Sequence, residues 1–100
     1  MPEAQGKASR NSAARIFVRG VVQGVGFRNF TQDRAMSRRL LGFTRNLSDG
    51  RVEVEVEGDR RKIEDLIRDL RKGPPRSKVD AVDVSWESSS SRFSDFSIVF

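Results

Sequence analysis

Over residues 15–22, "RIFVRGVV", apolar and polar positions alternate, so Ile16, Val18, Gly20 and Val22 share one face of a strand. Residues 27–40, "FRNFTQDRAMSRRL", hold neither Gly nor Pro and predict a helix. A second strand is predicted over 42–47, "GFTRNL", followed by Asp49-Gly50, a pair that tolerates the positive φ angles of a tight hairpin. Residues 52–57, "VEVEVE", alternate without a break, which predicts three valines inward and three glutamates in solvent. Asp59 is the expected N-cap of a second helix, in which Ile63, Leu66, Ile67 and Leu70 form one apolar stripe. Arg71 and Lys72 suit the negative end of that helix, and "GPP" at 73–75 stops it. Residues 77–87 then predict a strand with Val79, Ala81 (or Val82) and Val84 inside, and after the loop "SSSSR" comes a short last strand within 93–100.

The predicted order is β-α-β-β-α-β with an extra terminal strand. An antiparallel sheet with two helices on one face buries every apolar stripe in that order. The fold class is therefore α+β, a ferredoxin-like split β-α-β sandwich.

Length and composition narrow what such a fold can do. One hundred residues suit one domain, expected over 15–100, and the polar stretch 1–14 reads as a disordered tail. No apolar run approaches the roughly 20 residues of a membrane span, and the start lacks the apolar stretch of a secretory signal, so the expectation is a cytoplasmic protein with no membrane partner. Cysteine and histidine are both absent, which excludes a disulfide framework, a thiolate nucleophile, a Cys/His zinc site and imidazole acid–base chemistry. Any catalysis rests on arginines, lysines, carboxylates, amides, hydroxyls, backbone groups and water. The formal charge of +5 raises nucleic acid as a partner. The excess is spread along the chain, however, and "VEVEVE" stands where an RNA-binding sheet of this shape displays aromatics. Carboxylates there would repel phosphate, so no nucleic-acid partner is expected.

The remaining chemistry lies in "VVQGVGFR", residues 21–28. It lacks the third glycine of a dinucleotide fingerprint and the Gly-Lys-Ser/Thr of a P-loop. Glycines at 24 and 26 let successive N–H groups converge, a helix start adds free N–H groups, and Arg28 adds a planar two-pronged donor. Together these describe a seat for a small phosphorylated anion. On spacing alone, a structural turn followed by a surface arginine is the better reading.

Two motifs change that balance. Gly20, Val22, Gln23, Gly24, Val25, Phe27 and Arg28 match the pattern G-x-V-Q-G-V-x-F-R, and Gly42, Phe43, Asn46, Asp49, Gly50, Val52 and Glu53 match most of a second, G-[aromatic]-V-x-N-x-x-D-G-x-V-E. Over residues 15–100 the chain resembles the acylphosphatases. The resemblance implies metal-independent hydrolysis of a small acyl phosphate, with no cofactor, by a monomer whose product, inorganic phosphate, also inhibits. It places the phosphoryl group on the backbone amides of Gly24, Val25, Gly26, Phe27 and Arg28 and on the Arg28 guanidinium, with Asn46 holding the attacking water. Gln23 and Gly20 are read as structural, Arg19 and Arg45 as solvated strand charges, and Trp86 as core or edge packing. The sequence departs from the family at the end of the first helix, where Arg38 and Arg39 replace a leucine and a glycine. Arg39 would occupy a left-handed C-cap, and Arg38 would have to snorkel off an apolar face. Thr44 for valine is a milder change.

Overall fold

The computed structural model describes residues 12–100. Its elements are β1 (Ser12–Val21), α1 (Phe27–Ser37), β2 (Leu41–Asn46), β3 (Val52–Gly58), α2 (Arg60–Lys72), β4 (Lys78–Ser88) and β5 (Phe96–Val99). The strands form one sheet in the order β4-β1-β3-β2-β5. β3 runs antiparallel to both β1 and β2, so β1 and β2 are parallel to each other across it, joined through α1. β3 and β4 stand in the same relation across β1, joined through α2. This is the expected split β-α-β arrangement used twice. The terminal strand departs from a purely antiparallel sheet, because β5 pairs parallel to β2.

β1 begins at Ser12, three residues earlier than predicted. Its neighbours reach just as far, pairing Ser12 with Gly58 on one side and Ser88 on the other, so the backbone groups of 12–14 find partners on both edges. Ala13 and Ala14 are buried there. The first eleven residues of the expected tail lie outside the described residues.

The core lies between the sheet and the helices. Ile16 and Val18 of β1 and Val52, Val54 and Val56 of β3 meet Phe27 and Ala35 of α1 and Ile63, Leu66 and Leu70 of α2. Helix α2 begins as predicted, with Asp59 Oδ1 accepting from the Arg61 N–H at 2.9 Å. Helix α1 ends three residues before the predicted Leu40. The Leu40 N–H donates to the Ala35 carbonyl and the Arg39 N–H to that of Met36, the paired bonds of a Schellman turn. The turn drives Leu40 into the core and leaves Arg39 at φ 58°. Arg38 does swing off the apolar face, to meet Asp69 of α2 at 2.7 Å.

The glutamates of β3 are a correction. Glu53, Glu55 and Glu57 face away from the helices as expected, yet they are only 4%, 6% and 5% exposed. Arginines from both neighbouring strands lie over them. Arg45 Nε approaches Glu53 at 2.6 Å, and Arg15 donates to Glu55 at 2.9 Å. The segment between β4 and β5 completes the cover, with Arg92 donating to Glu55 while Ser90 and Ser91 donate to Glu57. Arg45 is thus paired rather than solvated, whereas Arg19 forms an exposed pair with Asp83. Trp86 packs at the edge, under the Arg60 guanidinium.

Candidate active site

The topology decides where the site lies. Because β1 and β2 run the same way on either side of β3, the chain leaves both at the same end of the sheet. Val18, Val52 and Asn46 stand in register across that end, and β5 runs parallel to β2, so residues 98–100 arrive there as well. A cleft of about 290 Å³ opens between these ends.

One wall is the loop from β1 into α1. Gly24 and Gly26 both adopt left-handed backbone, at φ 75° and 79°. A Cβ at either position would meet open space, so backbone conformation rather than crowding calls for glycine here. Gly26 is the N-cap of α1 and supplies no side-chain acceptor, and the first turn holds no acidic residue. The first helical bond runs from the Phe30 N–H to the Gly26 carbonyl at 3.0 Å, and a helix start leaves the N–H groups ahead of that bond without intrahelical partners. The partial positive charge of this helix start is therefore not neutralised locally. Arg28 sits in the first turn, half-buried, with its guanidinium carbon 4.8 Å from the centre of the Phe100 ring. Among the described residues, no carboxylate forms an ion pair with it.

The opposite wall is β2. Asn46 is its last residue, pairs with Val52 and lines the cleft half-buried. The hairpin beyond it is closed by bonds from Leu47 N–H to the Arg51 carbonyl and from Gly50 N–H to the Leu47 carbonyl. Asp49 stiffens the turn. The backbone N–H of Arg51, bonded at 3.1 Å, is the main influence holding its carboxyl below the ordinary value, and the Arg51 guanidinium adds to it. Gln23 ties the two walls together, its side-chain Nε2 donating to the carbonyls of Leu47 at 2.8 Å and Arg51 at 2.9 Å.

Gly24, Gly26, Phe27, Arg28 and Asn46 all line this one cleft. Val25 does not, because its side chain packs against the core and leaves only its backbone to the loop. Asn29, Ile98 and Phe100 line the cleft without having been singled out. Asn29 was open to notice, since it directly follows Arg28 in the first turn of a helix. Ile98 and Phe100 carried no signal, because their place depends on the parallel pairing of β5. Chemically, the arrangement offers backbone and guanidinium donors to an anion from one side and a neutral amide from the other.

Fold and cleft together define a small α+β sandwich with a glycine loop and an uncapped helix start at one end. The acylphosphatase family model matches residues 14–98. An acylphosphatase of Methanococcoides burtonii is 47% identical over 87 residues, which cover 87% of this chain and 91% of that protein. Among solved structures, the acylphosphatase of Bacillus subtilis superposes with a TM-score of 0.86 at 40% identity, covering 89% of this chain and 99% of that one. One from Coxiella burnetii superposes at 0.85 with 33% identity, covering 90% of this chain and 94% of that one. The chain belongs to the acylphosphatase family, whose members are hydrolases.

Proposed function

We propose that this chain hydrolyses acyl phosphates to a carboxylate and inorganic phosphate, with Arg28 and Asn46 as its catalytic side chains. The observation that carries the reading is the convergence on one cleft of the glycine loop, the uncapped start of α1, Arg28 and Asn46. The amides of Gly24, Val25, Gly26, Phe27 and Arg28 hold the non-bridging phosphoryl oxygens, and the Arg28 guanidinium takes two of them through its fork. Asn46 accepts a hydrogen bond from a water and aims its oxygen at phosphorus, in line with the leaving group. The new P–O bond forms as the bond from phosphorus to the acyl oxygen breaks. Its electron pair leaves on a carboxylate, a stable anion that needs no general acid. The neutral Asn46 amide does not take the water proton, which passes to a phosphoryl oxygen of the substrate. Catalysis is then positioning together with stabilisation of charge on the equatorial oxygens. The same reading carries with it the expectation of a cytoplasmic monomer.

Benzoyl phosphate hydrolysis in the presence of EDTA tests this. Arg28→Ala is expected to lower kcat/KM by about 10³-fold, and Arg28→Lys not to restore it, because a point charge replaces a fork. Asn46→Ala is expected to lower kcat by about 10²-fold with little change in the inhibition constant of inorganic phosphate. An inactive wild type overturns the enzymatic reading, and full activity in either alanine variant overturns that residue's role.

A further inference from the structure

Resting on that reading, a further question is what sets the distance between the cradle and the water. The loop of residues 22–26 belongs to no strand or helix and turns through two left-handed glycines, so its backbone has no ladder to hold it. Asn46 is held differently, by its register with Val52 at the end of β2. One side chain spans the two. Gln23 immediately precedes the first glycine of the cradle, and both carbonyls it reaches belong to the hairpin that begins one residue after Asn46.

The bonding geometry suits a spacer. A primary amide carries two N–H groups in a fixed plane, and here both have an acceptor, at 2.8 and 2.9 Å. The acceptors are not spare groups. The Leu47 carbonyl also accepts from the Gly50 N–H, and the Arg51 carbonyl from the Leu47 N–H, so Gln23 grips the hairpin at the two points where it closes on itself. Both bonds are partly buried, where water replaces them less readily. We infer that Gln23 is a positioning residue: it fixes the separation of the amide cradle from the Asn46 amide, and so the alignment of water with phosphorus. It touches neither.

A double-mutant cycle with benzoyl phosphate tests this. Gln23→Met keeps the length and removes both donors. It is expected to lower kcat about 10-fold or more, since an ångström of misplacement costs up to 10²-fold, while the inhibition constant of inorganic phosphate moves less than about 3-fold because the cradle itself is intact. In an Asn46→Ala background the same substitution should change kcat less than about 2-fold, since the alignment it protects is already lost. Gln23→Asn keeps the donors on a shorter arm, serves if the Met variant does not fold, and is expected to fall between wild type and Met. Equal losses in both backgrounds, or an unchanged kcat in Gln23→Met, overturn the positioning role and leave the function of the cleft standing. Full activity in Asn46→Ala alone overturns the role of Asn46 and the positioning role with it.

Discussion

Arg39 is a residue in a conformation that its own Cβ opposes. At φ 58° it holds the left-handed position of the Schellman turn that ends α1, a position glycine occupies without strain. Arg39→Gly is therefore expected to stabilise the protein by about 0.5–1 kcal/mol, the relief of strain outweighing the extra freedom of glycine in the unfolded chain. Arg39→Ala, which keeps the Cβ, should give no such gain. Thermal unfolding of the two variants side by side distinguishes them. The strain was legible only through the resemblance, which sets a glycine where Arg39 stands; the residue pattern alone carried the helix on to Leu40. The fate of Arg38 was legible in part. Its escape from the apolar face follows from charge, but its partner Asp69 lies 31 positions away on the other helix and no local pattern points to it.

At the scale of elements, β3 shows where alternation stops being informative. Period-two patterning fixes which face Glu53, Glu55 and Glu57 occupy, but not what covers that face. The cover comes from register, which sets Arg15 opposite Glu55 and Arg45 opposite Glu53, and from a loop that returns across the sheet. Arg15 lies within 4 Å of carboxylates of Glu53, Glu55 and Glu87. Arg15→Ala leaves buried carboxylates short of a counter-charge and is expected to cost about 1–2 kcal/mol, below the full value for a buried pair because Arg15 is itself part-exposed. Arg19→Ala, which breaks an exposed pair with Asp83, should stay within about 0.5 kcal/mol. Urea unfolding of both variants checks the contrast, and equal losses would refute it. β4 carries a similar lesson. Its inward residues were ambiguous between Ala81 and Val82 because the register shifts there. Arg19 pairs with Ala81 and Gly20 with Val79, so Asp80 is an extra residue that lets both Val79 and Val82 pack on the core.

For the whole molecule, the two walls of the cleft were legible because each is a local motif: the glycine loop with Arg28, and Asn46 ahead of a hairpin. Their meeting was legible only through the resemblance, which sets both on one phosphoryl group; the strand order that brings them to one end rests on pairing between distant segments. The contributions of Ile98, Phe100 and Gln23 were not legible, because each depends on a pairing between distant parts of the chain. One property of the assembled protein follows from the start of α1, where no side chain caps the helix. Inorganic phosphate bound there should raise the Tm, by the equivalent of about 2.7 kcal/mol at a hundredfold excess over its Kd. In Arg28→Ala that dependence should be largely lost, and scanning calorimetry across a phosphate series reads both. The gap at the head of this helix thus links durability and speed. On the proposed function, whatever fills it makes the fold more robust, yet each turnover ends only when the filler departs. Variants that gain most Tm from phosphate should therefore be slowest to let it go, and selection for heat resistance in that anion would favour sluggish enzymes.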